Sequence, residues 1–399
     1  MDKKTLVYEM WPISWGSIRA MTAFLPRIAA LEADYVWVAP IYTSPWGNHG
    51  YDVADYYSVD RRLGSMADMD EFIRTAHTLG LKVIMDLVID STSIEHIWFL
   101  TGPQRYIWSN NMLPDRRSMM DTDSAWVPMN NRYYLALTHP AQANLNWFKG
   151  GVLDRTLMEG YKAVMRFWLH QHDVDGFRIG SVQSINQDTS LGEVEFSDTL
   201  TGQRSVQVVS ELSNLYVNKT PFLMMDVIDP TGEVAEYYAE HTDVEFITNK
   251  LIKSAKVPAN EKSLAKFKAK INKRAKNPKF MLDLESHESD RFTALGLDGK
   301  KVLDLMFTSD ASAICLYQGQ ELGLKNPTFR ELSFSKAINL DARMGLHAEK
   351  TLANAESLMQ NAWANNRIQI PLDEYTRQEQ EENSTLRIAK DLIHAWKHG

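Results

Sequence analysis

YVWVAPIYTSPWGNHGYDVADYYSVDRRLGSMADMDEFIRTAHTLGLKVIMDLVID, residues 35–90, reads as strand, helix, strand. Tyr35–Tyr42 and Lys82–Asp90 are near-continuous apolar runs of strand length. Strands apolar on both faces belong to parallel sheets with helices packed on the outside. Between them Ser65 stands as a helix N-cap with Asp68 three residues on, and Gly80 ends the amphipathic stretch that follows.

The same alternation extends outward in both directions. Val7–Trp15 reads as the first strand, followed by Arg19–Ala33 with Met21, Phe24, Leu25, Ile28 and Leu31 at helical spacing and Pro26 as an interruption. Further strands are expected at Asp175–Val182, Phe222–Val227, Val244–Thr248, Lys279–Ser286 and Ser312–Gln318. Helical patterns separate or follow them at Leu153–His172, Arg204–Tyr216, Glu233–His241, Ser263–Lys276, Lys301–Asp310 and Ser384–His398. Eight such units point to an α/β fold, a closed (β/α)8 TIM barrel, rather than a doubly wound sheet. Residues 91–150 form a long connection after strand three and 319–383 another after strand eight. The expected division is 1–90 as the first part of the barrel, 91–150 as an inserted loop subdomain, and 151–399 as the remainder with the final helix. Both long loops would lie at the C-terminal ends of the strands, where barrel enzymes build their sites.

Composition narrows the function classes. The 399 residues carry a net charge of −8, which disfavours nucleic acid as a partner. The one basic stretch, Lys262–Lys279, reads as a solvated helix face. Cys315 is the single cysteine, so no internal disulfide or zinc–cysteine cluster is expected, and its apolar neighbours predict a buried thiol. No run reaches 18 apolar residues and the first residues lack a signal-like apolar stretch, so the expectation is a cytoplasmic chain without a membrane anchor. The Asn-x-Ser/Thr triplets at Asn218 and Asn383 read as chance matches.

Polar groups gather at the predicted strand ends: Asp86 and Asp90, Arg178, Asp226, then Asp283, Glu285, His287 and Glu288. Carboxylates converging with an arginine and a histidine suit acid–base or glycosyl-transfer chemistry, and they equally suit ion pairs that close the end of a barrel. Spacing alone leaves both readings open.

At these residues the chain resembles the α-amylase family of glycoside hydrolases, nearest its oligo-1,6-glucosidase and dextran-glucosidase branch. The resemblance rests on residues 36–99, on DVDGFRIG (173–180) and on LESHESDRF (284–292), with weaker matches at YIW (106–108), QANLNWF (142–148), LYQGQELG (316–323) and the final helix. It implies retaining chemistry on α-glucosidic linkages, with an Asp nucleophile after strand four, a Glu acid/base after strand five and a third carboxylate after strand seven. A retaining pair stands about 5–5.5 Å apart.

This chain departs at all three positions. Gly180 replaces the nucleophile, Asp226 aligns with the acid/base and is one methylene shorter, and Glu288 stands at the third carboxylate. Ser181 is expected to point to the opposite side of strand four. Strand three ends in Asp90-Ser91 where the family has Asn-His, which implies that a substrate-contacting histidine is gone. The first strand–helix loop is cut down to Gly16-Ser17-Ile18 without the branch's acidic metal-binding loop, so no calcium is expected there, and no other metal or cofactor is expected. The family's C-terminal β-sandwich is expected to be missing. The resemblance implies sugar contacts for Tyr51, Asn48, Asp86, Asp90, Arg178, His287 and Arg343.

Three readings follow. The first is a degenerate barrel that binds α-linked glucose oligosaccharides with little or no turnover. The second is an active hydrolase with a rebuilt carboxylate site drawn from Asp90, Asp226, Asp283, Glu285 and Glu288. The third is a protein-interaction scaffold, suggested by exposed-looking Trp98, Trp108, Trp126, Met112, Met119 and Met120 in the first long loop.

Overall fold

Alternation along each strand sorts the core into two layers. In β1 (Thr5–Met10), Leu6, Tyr8 and Met10 pack outward against helices, while Val7 faces the barrel interior. The remaining strands are β2 (Tyr35–Val38), β3 (Lys82–Val88), β4 (Gly176–Gly180), β5 (Phe222–Val227), β6 (Phe246–Asn249), β7 (Phe280–Asp283) and β8 (Ala313–Tyr317). They close in sequence order, with β8 pairing back onto β1 and the barrel pairs parallel. The computed structural model describes residues 4–45, 50–111, 125–186, 198–215, 220–227, 232–249, 261–287, 291–293, 296–325 and 370–399.

The barrel helices are α1 (Ile18–Ala29), α2 (Met66–Thr78), α3 (Arg155–Gln171), α4 (Asp198–Ser213), α5 (Glu233–His241), α6 (Glu261–Arg274), α7 (Gly299–Phe307) and α8 (Thr385–His398). The N-terminus of α2 forms the capping box expected from Ser65 and Asp68, with both reciprocal bonds made. Pro26 is accommodated near the end of α1, whose start is capped by Ser17. Within α6 the buried Phe267 and Ile271 face inward and its lysines are partly or fully exposed, the solvated face expected of that stretch. Cys315 is fully buried inside the barrel with Val7, Trp37, Ile84, Met224 and Met281.

Several expected boundaries move. β1 stops at Met10, because Pro12 opens a short helix at Pro12–Trp15. β2 stops at Val38, and Tyr42–Thr43 instead pairs antiparallel with Asp55–Val59. β3 stops at Val88 and β7 at Asp283, so Asp90, Glu285 and His287 sit on the loops beyond the strands. The second long connection contains a helix, Leu372–Gln380, that its sequence did not announce.

The excursion between β3 and α3 is built from short antiparallel strands outside the barrel. Ser91–Ser93 pairs with Gln142–Asn144, and Trp108–Ser109, Arg132–Leu135 and Trp126–Met129 form a three-stranded sheet. Its tryptophans are packed rather than presented. Trp126 is buried, Trp98 lies against Tyr56, His96 and Tyr161, and Trp108 lies against Phe99 and Tyr134. Met112, Met119 and Met120 lie outside the described residues. Among the described residues, no helix is long and apolar enough to cross a membrane.

Candidate functional site

Strand register brings the first two site residues together. Arg178 of β4 pairs in register with Asp86 of β3, so both side chains project from the same inner face. The Arg178 Nη1 lies 3.0 Å from both Asp86 carboxylate oxygens, and Nη2 lies 2.8 Å from Asp226 Oδ1 at the end of β5. All three residues are buried, and the guanidinium stacks over Trp37 at 4.9 Å. Burial raises the Asp86 carboxyl above its ordinary pKa, with Arg178 and then His287 pulling the other way.

The network continues through an aromatic wall. Tyr51 donates its hydroxyl to Asp86 Oδ2 at 2.9 Å and meets His287 Nε2 at 2.7 Å. The other ring nitrogen of His287, Nδ1, is held at 2.5 Å by Glu9. Trp11 stacks on the His287 ring at 4.8 Å and on Tyr51 at 5.9 Å. Tyr51 is placed by its neighbours: a Cβ at Gly50, whose φ is +100°, would lie 2.5 Å from the Pro40 carbonyl oxygen, so only glycine fits there. The Tyr51 carbonyl accepts from Gln142 Nε2 at 2.9 Å, which ties it to the excursion after β3. Glu9, His287, Tyr51, Asp86, Arg178 and Asp226 thus form one continuous polar chain across the mouth of the barrel.

Gly180 ends β4 on the same face as Arg178. An ideal Cβ there would lie 2.4 Å from Arg178 Nη1 and 2.9 Å from Cζ. The guanidinium therefore occupies the volume in which a side chain at 180 would begin. Ser181 does not continue the strand's alternation: its φ is +54° and it is exposed, because the chain turns away immediately after Gly180.

The other candidate carboxylates have their own attachments. Glu285 accepts the Phe292 amide at 2.9 Å and an Arg291 guanidinium N–H at 3.3 Å, with burial raising its pKa and Arg291 opposing. Asp283 is buried at the end of β7. Asp90 is buried beyond β3, its side chain accepting from the Ser91 hydroxyl at 3.3 Å and its carbonyl from the Leu145 amide at 2.9 Å. Asn48, Glu288 and Arg343 lie outside the described residues.

Sequence reading missed Glu9, Trp11 and Trp37. Glu9 is completely buried, and its Oε2 has no hydrogen-bond partner among the described residues. The signal was present as a carboxylate in an otherwise apolar strand, Leu6-Val7-Tyr8-Glu9-Met10. A charged residue in such a run is rarely buried without a partner.

Residues 9–385 match the α-amylase catalytic-domain family. The chain is 28% identical over 381 residues to an oligo-1,6-glucosidase of Parageobacillus thermoglucosidasius, covering 82% of this chain and 66% of that protein. It is 33% identical over 218 residues to the trehalose-6-phosphate hydrolase of Bacillus subtilis strain 168, covering 49% of this chain and only 38% of the relative's length. Its fold superimposes on the Bacillus licheniformis trehalose-6-phosphate hydrolase with a TM-score of 0.78 at 23% identity, over all of this chain and 84% of that one.

Proposed function

The chain belongs to the α-amylase family, and from that premise we propose that it is a catalytically degenerate member that binds α-linked glucose oligosaccharides without forming a covalent glycosyl intermediate. One observation carries the reading. The position of the family's nucleophile is Gly180, and the volume a side chain would need there holds the Arg178 guanidinium. Retaining hydrolysis requires a carboxylate directly beneath the anomeric carbon. Removing a catalytic nucleophile elsewhere costs orders of magnitude in rate even where binding survives.

The rest of the network favours binding over turnover. Asp226, at the acid/base position, is engaged by the same guanidinium that holds Asp86. Both ring nitrogens of His287 are already committed, one to Glu9 and one to Tyr51. Among the described residues, what the site still offers a sugar is the partly exposed Tyr51 at the edge of an aromatic wall. Relatives are named as oligo-1,6-glucosidases and α-glucosidases, which supports α-glucosides as the ligand class.

Calorimetric titration with isomaltotriose and maltotriose, followed by analysis of the sugars, tests this. Saturable heat with intact sugar is the expected result. Cleaved sugar would overturn it in favour of a rebuilt hydrolase.

A further inference from the structure

At the opposite end of the barrel from the site, the last turn of α8 places His394 and His398 one helical turn apart on one face. Their side chains converge on Glu32, in the turn between α1 and β2. His394 Nδ1 lies 2.7 Å from Glu32 Oε1, and His398 Nε2 lies 2.7 Å from Oε2. The three donor atoms all fall within 4.8 Å of one another. The imidazole rings are 4.6 Å apart.

We propose that Glu32, His394 and His398 form a surface site for a divalent transition-metal ion of the zinc class. The donor set carries the argument. Two imidazoles at i and i+4 on a helix grip one metal ion from one face, and a carboxylate supplies a third ligand. Bonds of about 2.0–2.2 Å to a tetrahedral ion need donors somewhat farther apart than the present hydrogen bonds. The exposed histidine side chains can swing that far without disturbing the core. Binding replaces two imidazole-to-carboxylate hydrogen bonds with three metal–ligand bonds, each liganding ring nitrogen giving up its proton to the other nitrogen of its ring or to solvent, and leaves the fourth position to water.

Glu32 is also an unusual choice of residue for its backbone. Its φ is +57°, the left-handed conformation in which a helix ordinarily terminates on glycine or asparagine. The chain keeps a carboxylate where local preference asks for none, and that carboxylate points at both histidines. Around it, Lys397 pairs with Asp34 at 2.6 Å, so the same turn and helix are already docked. A metal ion here would cross-link segments 362 residues apart in the sequence, clipping the last helix onto the turn before β2.

The test uses the full chain and zinc chloride alone as the probe. Isothermal titration is run on the wild type, on His394→Ala/His398→Ala, and on Glu32→Gly, each with its melting temperature recorded with and without zinc. Glu32→Gly suits the left-handed backbone, so this variant keeps the fold while removing the ligand. The expected result is one zinc ion per chain for the wild type and a zinc-dependent rise in melting temperature. The double histidine variant loses both, and Glu32→Gly binds at least about tenfold more weakly. Equal binding by the wild type and the double variant, or no binding by the wild type, overturns the site. Undiminished affinity in Glu32→Gly overturns the three-ligand arrangement.

Discussion

Arg178 is the residue on which the candidate site turns. It holds Asp86 and Asp226 at once, stacks on Trp37 and fills the volume beside Gly180. All of this happens out of contact with water, where a lone charge is expensive and a paired one is tolerated. Arg178→Met should therefore cost about 3–5 kcal/mol, because two buried carboxylates lose their cation. Arg155→Met makes the control: its pair with Glu211 is largely exposed on the arginine side, and such pairs contribute at most about 1 kcal/mol. Urea unfolding of both variants checks the contrast, and equal losses would mean that the buried network is not coupled to folding.

At the scale of elements, the turn after β8 carries a buried acid against β1. Glu321 accepts the Tyr8 hydroxyl at 2.8 Å, and its Oε2 has no partner among the described residues. Burial pushes the Glu321 carboxyl up from 4.5 to about 7, with the Tyr8 hydrogen bond opposing. The folded state therefore keeps a proton that the unfolded chain has already released between these two values. Stability contributed by this group is full below the unfolded-state pKa and falls as pH rises through that window, by an amount on the order of 3 kcal/mol. Glu321→Gln keeps an acceptor for Tyr8 and removes the titration. Denaturation at pH 5 and pH 8 should show the variant gaining on the wild type at the higher pH, and parallel pH profiles would refute the assignment.

Closure of the barrel governs the molecule as a whole. β8 completes the ring by pairing with β1, and Cys315 sits in that seam with its side chain sealed inside. A thiol in such a place reacts only when the barrel opens. Labelling by a thiol reagent should track global unfolding across a denaturant series, with little modification under native conditions. Fast labelling of the native protein would show that the β8–β1 seam opens by itself. α8 reinforces the seam through buried Leu386, Ala389, Ile393 and Trp396, and the Trp396 indole donates to the Ala311 carbonyl at 3.0 Å.

Much of this was written in local pattern. Eight apolar runs alternating with amphipathic stretches specify a parallel barrel, since hydrophobic burial depends on which residues face inward and that follows from period alone. The cap at Ser65, the buried Cys315 and the convergence of Asp86, Arg178 and His287 follow from the same alternation or from the family resemblance. Strand ends were less legible, because Ala39 and Ile89 remain buried after the ladder has stopped, so apolar character outlasts pairing. Three facts needed the tertiary structure. Glu9 meets a histidine 278 residues away, Arg178 leans into the space left by Gly180, and Glu32 gathers two histidines from the far end of the chain. The first and third depend on distances between residues remote in sequence, and the second on Asp86, 92 residues from Arg178, which holds the guanidinium over Gly180. Local propensity carries no information about such distances; chain closure and side-chain packing set them.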